Sequence, residues 1–238
     1  MLRDLAAGAL YDAKTSIARY PMLALPLQRL RARGELIGAR TDVVIEAFPR
    51  CASSFAVAAF RLAQEPDPTN IAHHTHMPAQ VMRAAHRGVP TMVLLRPGVD
   101  AVVSHVIRSP DLSVNAAMRG YLRFYEPLLR LRDAFVTATF DEVVGTFGVA
   151  IERLNARFHT TFAPFEHTPE NVARIDGEIE RDYRSREGSG ERLEAIIPRP
   201  SASRDAIKAE VRERVRREVP PQTLAEAHAI YRALLPEG

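Results

Sequence analysis

The segment PRCASSF, residues 49–55, is the first place in the chain where residue types and spacing suggest chemistry. It follows TDVVIEAF (41–48), a run with the length and pattern of a strand, and helix-forming residues come after it. A helix that begins beyond the end of a parallel strand presents free N–H groups and about half a positive charge. Arg50 adds a cationic fork, and Ser53 and Ser54 can donate hydrogen bonds. The segment therefore predicts an anion site, with a serine-capped structural turn as the alternative.

A second segment, LLRPGVDAVVSH, carries another cation at the end of an apolar run. Arg96 ends the run TMVLLR (91–96), and Ser104 follows eight residues later inside the next predicted helix. Because the carboxyl ends of parallel strands meet at one sheet edge, these side chains are expected near the first segment. They predict a second anion site, whereas an ion pair between Arg96 and Asp100 is the structural alternative.

Between these segments lies HHTHMP, which has three histidines in four residues: His73, His74 and His76. A neutral imidazole near its usual pKa can take a proton from a hydroxyl that attacks an electrophile. The same cluster suggests a metal site, but no carboxylate or cysteine set at suitable spacing accompanies it. The general-base interpretation is therefore preferred.

The elements that would position these residues alternate between strands and helices. Strands are predicted at 41–48, 70–74, 91–96 and 134–140. Long single helices are predicted at 113–133 and 141–159, and no strand is predicted beyond about 165, where charged helices flank a GSG linker (188–190) and an extended IIPRPS (196–201). Repeated strand–helix alternation favours parallel pairing, and hence a three-layer α/β/α sandwich with a central parallel sheet and a helical C-terminal part. One domain is predicted over 1–238, with its core at about 41–160 and its helical portion at about 165–238.

Composition restricts the function classes. The single cysteine, Cys51, excludes an intrachain disulfide and a thiolate cluster. No apolar run approaches 18 residues and the N-terminus has no signal-like apolar core, so no membrane span and a cytoplasmic location are expected. The net charge is only +3, and acidic residues are interspersed along the basic helix RDAIKAEVRERVRREV (204–219), which favours a solvated or packing face over nucleic-acid binding.

Together the three segments resemble the sulfotransferases that use 3′-phosphoadenosine 5′-phosphosulfate (PAPS), and the chain looks like a bacterial-type member. Their phosphosulfate loop has proline, a basic residue, serine or cysteine, glycine or alanine, two hydroxyl residues and an aromatic. This sequence fills it with Pro49, Arg50, Cys51, Ala52, Ser53, Ser54 and Phe55. HTHMP is similar to the K-T-H-L-P segment that carries the catalytic histidine, and the family's 3′-phosphate motif also has arginine and serine eight apart.

The resemblance implies a fold with P-loop NTPase-like topology and PAPS as co-substrate, with no metal. It implies His76 and Arg50 as catalytic residues. The implied PAPS-binding residues are Arg50, Cys51, Ala52, Ser53, Ser54, Phe55, Arg96, Ser104 and, from an R-P-S segment, Arg199. A small-molecule or carbohydrate acceptor with a hydroxyl or amine is expected, without nucleic acid or membrane span, and a homodimer is compatible with the family.

The sequence departs from the family in two places. The proline of the 3′-phosphate motif comes one position early, at Pro97, and the C-terminal K-G-x-x-G-x-W-K signature of the cytosolic branch is missing. Two other functions therefore stay open: a non-catalytic nucleotide- or anion-binding member of the fold, and a small-molecule P-loop kinase. The kinase is disfavoured because the GxxxxGK pattern and its lysine are absent from the loop.

Overall fold

A parallel four-stranded sheet lies at the centre of the computed structural model, which describes residues 2–31, 36–67, 69–187 and 202–236. The strands are β1 (Val43–Ala47), β2 (Ile71–His73), β3 (Thr91–Leu95) and β4 (Val136–Thr139). Their order across the sheet is β2-β1-β3-β4, and every neighbouring pair is parallel. All four strands were predicted from the sequence, and each is one to three residues shorter in the structure.

The register brings the strand ends to one edge. Ala47 pairs with Leu94 and Leu95 pairs with Thr139, so β1, β3 and β4 end side by side. All residues of β1 and β3 are buried, as expected for central strands covered on both faces. The loops after β1 and β3 therefore leave the sheet next to each other.

Helices cover both faces of the sheet. In chain order they are α1 (Leu2–Ile17), α2 (Pro21–Arg31), α3 (Ser53–Ala63), α4 (Pro78–Arg87), α5 (Gly98–Arg108), α6 (Val114–Tyr125), a 3₁₀ helix (Glu126–Ala134), α7 (Phe140–Gly145), α8 (Phe147–Phe158), α9 (Pro169–Glu187), α10 (Ala202–Glu218) and α11 (Pro221–Ala233). The connection β1–β2 runs in the opposite direction to β2–β3, so right-handed crossovers place α3 and α4 on opposite faces. α3 contacts α7 and α9, whereas α4 contacts α6 and the 3₁₀ helix. The predicted three-layer α/β/α fold with a central parallel sheet is confirmed.

Two segments were predicted as single long helices, and both predictions are wrong because each segment is interrupted. The segment predicted as one helix at 113–133 changes to a 3₁₀ helix at Glu126, next to Pro127, whose ring cannot continue the α-helical hydrogen bonds. The helix predicted at 141–159 is two helices that break at Thr146, whose backbone (φ −146°, ψ 41°) is not helical.

The C-terminal part contains helices and no strand within its described residues, as predicted. The basic helix α10 buries Val211 and Val215 and contacts α5 and α6, so it is a packing helix. The GSG linker and the IIPRPS segment lie outside the described residues. Within the described ranges, no helix has the length and apolar character needed to cross a bilayer.

A buried tyrosine on α6 joins the sheet to the loop after β1. The Tyr125 hydroxyl donates to the Leu94 carbonyl (2.7 Å) and accepts from the Phe48 N–H (3.4 Å). The sulfur of Cys51 lies 3.5 Å from the same oxygen. One hydroxyl therefore connects the end of β3 to the chain that leaves β1.

Tyr125→Phe is expected to lower the free energy of unfolding by about 1–2 kcal/mol, because it leaves a buried carbonyl and N–H without their partner. Urea denaturation measures the change. Tyr20→Phe, at a residue that is 59% exposed, is the matched control and should change stability by less than about 0.5 kcal/mol. Equal stability of Tyr125→Phe and wild type would contradict this role.

Candidate functional site

The loop between β1 and α3, residues 48–52, is the anion loop of the sequence prediction, and its backbone is left-handed at two residues. Arg50 and Ala52 adopt left-handed conformations, with φ of 72° and 64°. Ala52 is the N-cap of α3 and provides no side-chain hydrogen bond, while Ser53 and Ser54 already lie inside the helix. The alternative of a serine-capped turn is therefore wrong. The N-cap side chain therefore does not cap the first N–H groups of α3, which can donate to another acceptor.

The Arg50 side chain connects three parts of the chain. Its Nε donates to Ser104 Oγ on α5 (3.1 Å), and its Nη1 donates to the Tyr183 hydroxyl on α9 (3.2 Å). The two segments predicted to bind anions thus meet directly, although 54 residues separate them. The contact also shows that the C-terminal helical part reaches the site.

Arg96, at the end of β3, contacts the loop after β1. Its Nη1 donates to the Arg50 carbonyl (2.9 Å), and its guanidinium stacks on the Phe140 ring at 4.0 Å from the centroid. Asp100 pairs instead with Arg212 of α10 (2.7 Å), so the Arg96–Asp100 ion pair considered from the sequence does not form. Arg96 is therefore held at the strand end by a carbonyl and a ring.

The remaining loop residues differ in what they can offer a ligand. The Cys51 side chain is fully buried, and this burial raises the pKa of its thiol to about 11, so only its backbone can contribute. The Phe55 ring packs against Phe165 and His167, with ring centroids 6.2 and 5.8 Å away. Ser54 Oγ lies 3.3 Å from His74 Nε2, which links the anion loop to the histidine segment.

His76 is held in the tautomer that a general base needs. Its Nδ1 lies 2.8 Å from the Ala47 carbonyl oxygen, which can only accept a hydrogen bond. The proton is therefore on Nδ1, and Nε2 carries the lone pair. Burial lowers the pKa of His76, and the charges of Lys14 and Arg50 lower it further, so the ring is neutral at neutral pH.

The segment around His76 is fastened by a buried carboxylate. Glu46, only 1% exposed, lies in the middle of the buried strand β1. Its oxygens accept from the Thr75 N–H (2.8 Å) and hydroxyl (2.7 Å), the His76 N–H (3.1 Å), Gln80 Nε2 (2.9 Å) and the Ala47 N–H (3.3 Å). Burial raises the pKa of Glu46 to about 7, against the opposing effect of these donors.

This support makes an unfavourable backbone possible. Within the described chain, the non-glycine residues with positive φ are Arg50, Ala52, His74, His76 and His159. Four of these five lie in the two candidate loops. Such conformations cost on the order of 1 kcal/mol or more each and persist only where neighbouring contacts fix them.

Three site residues were not predicted from the sequence: Glu46, Gln80 and Tyr183. An acid inside an apolar strand run was a signal for Glu46, because a buried carboxylate requires partners. Nothing local marked Gln80 or Tyr183. Arg199, predicted from its R-P-S segment, lies outside the described residues. Among the described residues, no group of three or more histidines, cysteines or acids is placed to hold a metal ion.

Glu46→Gln should change how stability depends on pH. The pKa of Glu46 is about 7 in the folded protein and near 4.5 in the unfolded chain. Folding therefore takes up a proton between these pH values. The stability that this group contributes therefore falls as pH rises from about 4.5 to 7, by up to about 3 kcal/mol, and glutamine cannot titrate. Urea denaturation across this range should show the free energy of unfolding of wild type falling, relative to that of Glu46→Gln, as pH rises.

Glu152→Gln, which removes one carboxylate at an exposed position of α8, is the matched control. A constant difference for Glu46→Gln across the same range would show that Glu46 does not titrate there.

No protein-family model and no curated protein matches the chain. Among solved structures it is similar to the crystal structure of mouse sulfotransferase SULT7A1 complexed with PAP. The two sequences are 11% identical, the match covers 83% of this chain and 92% of that chain, and the TM-score is 0.43. This likeness is too distant for residue roles to be transferred from it.

Proposed function

We propose that the protein is a sulfotransferase that moves a sulfuryl group from PAPS to a hydroxyl or amine acceptor and releases 3′-phosphoadenosine 5′-phosphate (PAP). The observation that carries the proposal is the 3.1 Å hydrogen bond between Arg50 Nε and Ser104 Oγ. It joins the two segments that resemble the family's 5′-phosphosulfate and 3′-phosphate sites. The base tautomer of His76 beside them supplies the third part.

The anion loop is suited to the phosphosulfate end of the donor. The N–H groups at the start of α3 and the hydroxyls of Ser53 and Ser54 can donate to its oxygens, and Arg50 adds a fixed positive charge. Arg96 and Ser104 lie at the end of β3 and on α5, where they would bind the 3′-phosphate. Two anionic groups of one ligand would thus be bound by two adjoining strand ends.

His76 would act as the general base. Its Nε2 accepts the proton of the acceptor hydroxyl, the acceptor oxygen forms a bond to sulfur, and the bond from sulfur to the bridging phosphate oxygen breaks. The electron pair of that bond stays on the phosphate of PAP. Arg50 and the α3 N–H groups stabilise this growing charge, and one such donor contributes about 3–4 kcal/mol in comparable sites.

The base also separates this function from the main alternative. A protein that only binds a nucleotide or an anion gains nothing from an imidazole whose Nδ1–H is fixed by the Ala47 carbonyl and whose Nε2 is unprotonated. Transfer needs both features. The loop again contains no lysine, so nothing favours the kinase alternative.

Binding of PAP, measured by isothermal titration calorimetry, is the first test. Wild type should bind PAP, and Arg96→Ala and Ser104→Ala should each weaken binding at least tenfold, because each loses a charged or polar phosphate contact of about 1.5–3 kcal/mol. Arg83→Ala, at an exposed arginine of α4, is the control and should bind like wild type. No affinity of the folded wild type for PAP would end the sulfotransferase proposal.

Transfer from labelled PAPS to a panel of hydroxylated and amine acceptors is the second test. Arg50→Ala should lower kcat about 100- to 1000-fold, since it removes a charge that acts on the leaving group. His76→Gln should keep PAP affinity and lose transfer, with a smaller loss for acceptors whose hydroxyl is already acidic. PAP binding with undiminished transfer in His76→Gln would rule His76 out as the base.

A further inference from the structure

One lysine of the chain lies beside the proposed base without having been included in the site. The sequence has 32 lysines and arginines, and the only two lysines are Lys14 and Lys208. Lys14 belongs to α1, whereas Lys208 belongs to α10. The helix α1 lies outside the sheet core and contributed no residue to the anion loop or the histidine segment.

The register of α1 places Lys14 over the histidine segment. Tyr11, Lys14 and Ala18 are spaced by three and four residues, so they lie on one face of the helix. At one end of this face the Tyr11 ring contacts the His105 ring, with centroids 5.8 Å apart. At the other end the Ala18 carbonyl accepts from the Ala79 N–H (3.1 Å), three residues after His76. Lys14 lies between these two contacts.

His105 confirms that the contacts belong to one region. Its ring packs against Phe48, the residue before Pro49, with centroids 5.5 Å apart. Neither of its ring nitrogens has a hydrogen-bond partner among the described residues. Burial lowers the pKa of His105 to about 3, and the charges of His76, Arg50 and Lys14 add to the effect. The charge of Lys14 therefore acts on two imidazoles at once.

We infer that Lys14 is a positioning residue of this site: from α1, its ammonium acts on the His76 imidazole and lies beside the transferred group. The second half of this inference rests on the proposed function. A general base must be within hydrogen-bond distance of the acceptor atom that attacks sulfur, so a cation beside the base is also beside the sulfonate. The residues proposed for the two phosphates of PAP belong to other elements: the start of α3, the end of β3 and α5.

Two cations and two further imidazoles face His76. Arg50 faces it from the anion loop, Lys14 from α1 and His105 from α5, while His74 lies 5.9 Å away, ring to ring, in its own segment. The His73 pKa is lowered to about 4, chiefly by burial and then by Arg61 and His76. Glu46 contacts the backbone N–H of His76 and is already bonded to its five donors.

Titration of the His76 ring by NMR tests the inference without any substrate. Spectra of wild type, Lys14→Met, Lys14→Arg and Lys208→Met are compared, with His76→Gln used to assign the signal. The His76 pKa should rise in Lys14→Met, stay low in Lys14→Arg, and stay unchanged in Lys208→Met, which removes the same charge elsewhere. The rise should shrink in concentrated sodium chloride, because Lys14 is exposed. An unchanged His76 pKa in Lys14→Met would overturn the inference.

Kinetics and PAP binding test the position of the ammonium. Lys14→Met should bind PAP within about twofold of wild type, because PAP has no sulfonate. Its kcat should fall at least tenfold, and the acid limb of its kcat/KM profile should move to higher pH. A loss of PAP affinity as large as the loss of kcat would place Lys14 in the phosphate site and overturn this part. Absence of PAP binding in wild type would end the proposed function alone, since the NMR titration would still decide the Lys14–His76 interaction.

Discussion

The buried carboxylate of Glu46 is the group on which the geometry of the candidate site depends. It accepts hydrogen bonds from the N–H groups of Thr75 and His76. The carbonyl of the next residue, Ala47, accepts from the His76 ring. The strand β1 ends at Ala47, and the anion loop that follows it reaches Pro49 two residues later. His76 and the anion loop are thus both fixed to the end of β1, which sets their separation. Left-handed backbone in both loops is the local cost of this arrangement, and the carboxylate offsets part of it.

The two arginines of the site both stabilise its structure and provide N–H donors for a ligand. Arg96 holds the backbone carbonyl of Arg50, and Arg50 in turn reaches Ser104 and Tyr183. Each guanidinium has five N–H donors, so these bonds leave donors for an anion. The bonds also mean that the cations are already oriented before a ligand arrives, which reduces the ordering that binding requires. Tyr183 extends this support to α9, so the helices after the sheet stabilise the site as well as packing on it.

The sequence predicted what depends on local pattern. Apolar runs located all four strands, and the order of the three polar segments placed Arg50, His76 and Arg96 at one sheet edge. It failed where long-range contacts decide. The Ser53 hydroxyl does not cap α3, because the left-handed Ala52 begins the helix instead. Asp100 does not pair with the nearby Arg96, because Arg212, 112 residues away, takes that position. The tautomer of His76 depends on a carbonyl 29 residues before it, and no local pattern encodes such a contact.

The positive surroundings of His76 have opposite effects on the two halves of the proposed reaction. Cations near the leaving phosphate stabilise its developing charge, but the same cations lower the proton affinity of the base. In the proposed function, a donor with several negative charges resolves this conflict when it binds, because its charge offsets that of Arg50 and Lys14 and raises the His76 pKa toward the working pH. Without the donor, the imidazole stays neutral and keeps its lone pair, so it enters the complex in the protonation state that the reaction requires. Donor binding and readiness of the base are then two consequences of a single balance of charge.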